Sequence, residues 1–161
     1  PRELPYKDAV YNVSRVGLLP AAMNPVVLAQ AAQQGKSGVA AAPAQDADTC
    51  ACSGGTRESA FADELAAAQA QSNALLFTAT QDKLHQPYRG ALMPPSTELI
   101  ALFRSKGYAA AVSGAGPCVL VLHYGNARED IDQIASEQLA SGHWRVLHLP
   151  INTAGVEIER R

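Results

Sequence analysis

The stretch AAAVSGAGPCVLVL, residues 109–122, limits the fold more than any other part of this 161-residue chain. Two runs of small and branched apolar residues flank a turn that carries Gly114 and Gly116 immediately before Pro117. Short apolar runs bounded by turn residues are the pattern of strands buried on both faces or in a sheet centre. Glycine supplies the positive φ that a tight turn requires. A hairpin is therefore expected, with strands at 109–113 and 118–123. Two readings of its turn stay open. It is either a structural loop, or a cradle whose backbone N–H groups face a charged ligand or a partner loop. It is not a P-loop and not a dinucleotide fingerprint, because no lysine follows it and a strand, not a helix, comes next.

The rest of the chain alternates helical and extended texture. Residues 6–23 read as a helix, with Val10, Val13, Gly17 and Pro20 on one side and Asp8, Asn12 and Arg15 on the other. Pro20 should kink or end it. Residues 33–57, rich in Gly, Ser, Ala and Asp, read as an insertion that buries too little surface to offset its ordering entropy. Helical texture resumes at Ser59 and runs, in two pieces, through Leu84. Three prolines make HQPYRGALMPPS irregular. Ser96 should then cap a helix carrying Leu99, Ile100, Leu102 and Phe103, closed by Gly107. Asn126 should open another, with Glu129 in the capping-box position and Gly142 as its stop. Strands are expected at 143–150 and 154–160. The order predicts an α+β fold with helices covering one face of an antiparallel sheet.

Composition excludes several functions. A net charge of −2 with scattered basic residues argues against nucleic acid. No apolar run reaches membrane-spanning length, and no signal-peptide pattern is present. Three cysteines, an odd number, argue for a reducing cytoplasm over a disulfide framework. Cys50-Ala-Cys52 has no second pair with which to make a zinc site, and His123, His143 and His148 lack metal-ligand spacing. Cys118 reads as a small hydrophobe in a buried strand. Asp63, Glu64, Asp82, Glu129, Asp130 and Asp132 read as solvated carboxylates on helix surfaces.

Two arginines stand out. Arg89 sits in the proline-bracketed LHQPYRGALMP, where a guanidinium can be held rigidly for a carboxylate, or can make an ordinary structural ion pair. Arg15 lies three residues after Asn12 and four after Tyr11, so the three side chains can act together, although a polar helix face is by default solvated.

In this order, DAVYNVSRVGLL, TQDKLHQPYRGALMP, AVSGAGPCVLVL and LPINTAGVEIE resemble the C-terminal half of homoserine kinases, within the superfamily named after galactokinase, homoserine kinase, mevalonate kinase and phosphomevalonate kinase. The resemblance spans about residues 1–32 and 59–160, and HQPYR looks like its actinobacterial branch. SGAGP marks only the superfamily; HQPYRGALMP together with NVSR narrows the match.

The resemblance implies transfer of the ATP γ-phosphoryl group, with Mg²⁺, to the hydroxyl of L-homoserine, on a ferredoxin-like sandwich. It also implies that residues 1–161 are the C-terminal domain of a longer enzyme, consistent with a start at Pro1-Arg2-Glu3. The ATP loop and the magnesium-binding acids would lie in an N-terminal domain, so the fragment alone should be inactive. Arg15 and Arg89 would clamp the substrate α-carboxylate, with Asn12 assisting. Ser113, Gly114, Ala115, Gly116 and Pro117 would pack against the ATP loop, with Gly114 close to substrate. Exposure of the face that the N-terminal half covers could drive homodimer formation. Two other readings stand beside this one: a non-catalytic amino-acid-binding regulatory module, and another kinase of the superfamily, such as a mevalonate-pathway enzyme.

Overall fold

A computed structural model describes residues 3–24, 56–150 and 158. The chain divides into two compact units at Asn126/Ala127. In the first unit, α1 (Tyr6–Val16) and a short α2 (Leu19–Ala22) are followed by the long α3 (Thr56–Ala79), the single-turn α4 (Gln86–Arg89), a 3-10 turn (Gly90–Leu92) and α5 (Pro94–Ser105). The antiparallel strands β1 (Ala109–Val112) and β2 (Val119–Leu122) complete it. The second unit holds α6 (Arg128–Ile134) and α7 (Ser136–Ala140). The fold is α+β, and its sheet has two strands among the described residues.

The core of the first unit forms where α3, α5 and the hairpin meet. Leu99, Ile100 and Phe103 recur at helical spacing on α5 and are buried, each stabilising the fold by roughly 1.5–3 kcal/mol. Leu76 of α3, Ala22 of α2 and Ala109 of β1 form one buried cluster, joined by Leu75, Phe77, Leu122 and Tyr124. Tyr108 stands edge-on to Phe103 at 6.2 Å between ring centroids. Asn73 on α3 clasps the end of the hairpin, accepting from Tyr124 N at 2.8 Å and donating to Tyr124 O at 3.1 Å.

Several expectations need correction. The first helix breaks at Gly17, before Pro20, which stands at the start of α2. The helix from Ser59 is one piece, already formed at Thr56, so the end of the expected insertion is helical. The remainder of 33–57 lies outside the described residues. Ser96 is not a cap: α5 begins at Pro94, and the Ser96 hydroxyl donates instead to the carbonyl of Pro117 at 2.6 Å. Asn126 is not a cap either, because the residue preceding α6 is Ala127, without side-chain capping.

The hairpin is present in the expected register, Ala109 opposite Leu122 and Val112 opposite Val119. Its strands are less buried than their composition suggests. Only Ala109 and Ala110 are fully covered, while Leu120 and Cys118 are exposed, since a two-stranded ladder leaves faces open. Residues 143–150 form no ladder among the described residues, yet keep a two-residue period: Trp144, Val146 and His148 are half-buried and their neighbours exposed. The strand expected at 154–160 lies outside the described residues, Ile158 excepted.

Candidate functional site

The glycine turn is built from the residues that its sequence demands. Ser113 N donates to Cys118 O at 2.9 Å, and Gly116 N donates to Ser113 O at 3.1 Å. Gly114 and Gly116 adopt φ of +60° and +86°, a region that costs other residues strain. The Gly116–Pro117 peptide is cis. A Cβ on Gly116 would stand 2.6 Å from Met93 Sδ, so the turn lies directly on the Met93 side chain.

Arg89 reaches this turn. It ends α4, a single turn begun by Gln86-Pro87 and continued by the 3-10 turn, whose Gly90 carbonyl accepts from Thr97 Oγ1 at 3.3 Å. Arg89 Nη1 donates to Ala115 O at 3.4 Å. The guanidinium has five donors, and no other hydrogen bond engages it among the described residues. Arg89, Leu92, Met93, Ala115, Gly116 and Pro117 line an open cavity of about 480 Å³. A cation, a thioether and a bare turn thus share one hollow.

The second cluster joins α1 to the loop after α3. The polar face of α1, solvated by default on sequence grounds, is the packed one; Val10, Val13 and Val16 are exposed instead. Tyr11 Oη hydrogen-bonds Gln81 Oε1. Asn12 Nδ2 donates to Asp82 Oδ1 at 2.5 Å, and Asn12 Oδ1 accepts from Lys83 N at 2.8 Å. Arg15 lies over the Tyr11 ring, its Cζ 4.5 Å from the centroid, while Lys83 Nζ is 4.0 Å from the same centroid. Arg15 Nε is buried and has no hydrogen-bond partner among the described residues. A buried donor without an acceptor is costly and marks where an acceptor would be stabilised.

Asp82, expected as a solvated carboxylate on a helix surface, is neither solvated on all sides nor on a helix. It lies in the loop beyond α3 and accepts from Leu84 N at 2.7 Å, His85 N at 3.0 Å and Gln86 N at 2.7 Å, besides Asn12. Burial pushes its pKa up. The hydrogen bonds from Asn12, Gln86, Leu84 and His85 outweigh this and hold the carboxyl below the usual aspartate value. An Asp a few residues before Gln-Pro at a helix start was the available signal.

The structure therefore brings Arg89 together with Ala115, Gly116 and Pro117, and Asn12 together with residues 82 and 83, while Arg15 shares the Tyr11 ring with Lys83. Arg15 lines neither the Arg89 cavity nor a neighbouring one of about 410 Å³ that includes Tyr11, Asp82, Lys83, Gln86 and Arg104. Both polar ends of the Asn12 side chain are already engaged by protein. Among the described residues no three His, Cys, Asp or Glu side chains gather as metal ligands, so these residues make no site for the magnesium that the resemblance implies. No described helix is long and apolar enough to cross a membrane.

The glycine turn and the arginine beside it fall within a stretch of this chain that matches the GHMP kinases. The chain belongs to that family: its model, "GHMP kinases C terminal", matches residues 59–141. Within it, several similar curated proteins are homoserine kinases. That of Clavibacter michiganensis subsp. michiganensis is 36% identical over 160 residues, covering 99% of this chain and 36% of that protein. That of Leifsonia xyli subsp. xyli is 37% identical over 164 residues, covering 99% of this chain and 35% of its own length. That of Corynebacterium aurimucosum is 44% identical over 86 residues, 53% of this chain and 26% of that protein. The chain thus spans little more than a third of the length of the first two relatives.

Proposed function

We propose that this chain is the substrate-binding C-terminal part of a homoserine kinase, an enzyme that transfers the ATP γ-phosphoryl group to the side-chain hydroxyl of L-homoserine. The observation that carries the reading is the Arg89–Ala115 contact, which sets an otherwise unengaged guanidinium beside the glycine turn. The similarity to homoserine kinases over 99% of the chain supports the same reading.

Arg89 and Arg15 are the proposed clamp for the α-carboxylate. A guanidinium presents parallel N–H donors to both oxygens of that anion, which a lysine cannot. The buried, unpartnered Nε of Arg15 supports its part in the clamp. Binding through these groups orients the substrate so that its hydroxyl meets the γ-phosphate in line, the entropic part of catalysis. Asn12 contributes by holding α1 in place, and Gly114 keeps the turn free of side chains near the substrate. ATP and Mg²⁺ are proposed to bind mainly to an N-terminal domain, with residues 113–117 packing against its phosphate loop. The complete fold of this part is proposed as a ferredoxin-like sandwich in a cytoplasmic enzyme.

The test is steady-state kinetics of the complete enzyme carrying this domain. Arg15→Ala and Arg89→Ala should each raise the homoserine KM more than about tenfold, the worth of at least ~1.5 kcal/mol for a charge-assisted hydrogen bond. Unchanged KM and kcat in both variants would sink the assignment. Binding of homoserine without phosphorylation by the complete protein would favour the regulatory-module reading.

A further inference from the structure

We infer that Asp82 is a positioning residue whose carboxylate joins α1 to α4 and so holds Arg15 and Arg89 in one frame. The inference rests on the reading of those two arginines as the carboxylate clamp.

The two arginines stand on separate elements, one before the long α3 and one after it. Asp82 touches both elements with a side chain that is only 16% exposed. Its Oδ1 accepts from Asn12 Nδ2, three residues before Arg15 on the same helix, at 2.5 Å. Its Oδ2 accepts from the backbone N–H of Gln86, the first residue of α4, at 2.7 Å. Arg89 ends that one turn, its own N–H donating to His85 O at 2.9 Å. His85 N in turn spans both Asp82 oxygens, at 3.1 Å and 3.0 Å. Asn12 is gripped at its other end by Lys83 N, so the amide cannot rotate without breaking two bonds.

Every hydrogen bond that reaches Asp82 is a donor: Asn12 Nδ2, Leu84 N, His85 N and Gln86 N. Only a carboxylate offers acceptors on both sides. An asparagine would turn an NH₂ group toward either Asn12 or Gln86, and one of the two elements would be released. A single turn of helix has little stability of its own, so α4 depends on this anchor for its orientation. Arg89 can touch substrate; Asp82 acts only through Arg15 and Arg89.

The experiment compares Asp82→Asn, Arg15→Ala and Arg89→Ala in the complete enzyme, with homoserine and ATP varied separately. Asp82→Asn should raise the homoserine KM about tenfold or more and leave the ATP KM within about twofold. A homoserine KM that stays within about twofold, or a parallel rise in both KM values, overturns the inference. Should Asp82→Asn fail to fold, Asn12→Ala breaks the same joint and is read by the same two outcomes. The arginine variants separate the two levels. If they raise the homoserine KM and Asp82→Asn does not, the positioning role alone fails. If they leave it unchanged, the clamp fails and the inference falls with it.

Discussion

Arg89 Nη1 donates to the carbonyl oxygen of Ala115 at 3.4 Å, joining segments 26 residues apart in sequence. The contact makes the PYR segment and the glycine turn two walls of one hollow. Arg89→Lys keeps the charge and loses the planar fork. In the complete enzyme the homoserine KM is expected to rise by about tenfold, close to the effect of Arg89→Ala, with the ATP KM little changed. Full activity in Arg89→Lys would mean that a point charge suffices there.

The turn predicts a contrast between its two glycines. Gly114 has positive φ and nothing within 4 Å of a built Cβ, whereas Gly116 has positive φ and meets Met93 Sδ at 2.6 Å and Val112 Cγ1 at 3.3 Å. Gly114→Ala should cost roughly 1–2 kcal/mol from backbone strain alone. Gly116→Ala should cost more, because Met93 must also move. Urea denaturation of both variants, each with and without Met93→Ala, measures the difference. Removing Met93 should narrow the gap; a gap that persists unchanged would rule out the steric explanation.

Arg104 closes the end of α3. Its Nη2 donates to Phe77 O at 2.7 Å, and its Nη1 donates to Ala110 O at 3.0 Å and Thr80 Oγ1 at 3.1 Å. The guanidinium also lies over the Phe77 ring at 4.2 Å. One side chain thus satisfies a last-turn helix carbonyl and ties α3 to β1. Arg104→Met is expected to lose about 2–3 kcal/mol of stability, since it leaves half-buried carbonyls unpaired. Chemical denaturation reads this directly, and a loss below about 0.5 kcal/mol would show that water replaces the contacts.

The lowered pKa of Asp82 sets a pH dependence with a definite sign. The folded carboxyl binds its proton less readily than the unfolded one, whose ordinary value is 3.8. Its stabilisation is therefore present above that value and is lost as pH falls through the lower folded one. Asp82→Asn should be less stable than the parent at neutral pH, and the difference should shrink as pH is taken below about 3.8. Parallel denaturation series from neutral to strongly acid pH check it. A difference that stays constant across the range would assign the loss to geometry alone.

How much of this was legible in the sequence depends on whether the cause was local. AAAVSGAGPCVLVL determined its hairpin, because two glycines before a proline between apolar runs have few other solutions. LIALF determined the buried stripe of α5, since its spacing matches the helix repeat. The motifs HQPYR and SGAGP marked the family, which the match over residues 59–141 establishes. What sequence alone did not decide was partnership across distance. The Gln-Pro that follows Asp82 hints at a helix start, but nothing local says that Asn12 would turn toward residue 82 while Val10, Val13 and Val16 stayed exposed. Nor could local pattern tell Ser96 the helix cap from Ser96 the donor to Pro117. A hydrogen-bonding side chain takes its meaning from whichever donor or acceptor the fold brings within about 3 Å. That proximity belongs to the packing of α1, α5 and the hairpin, and only tertiary structure supplies it.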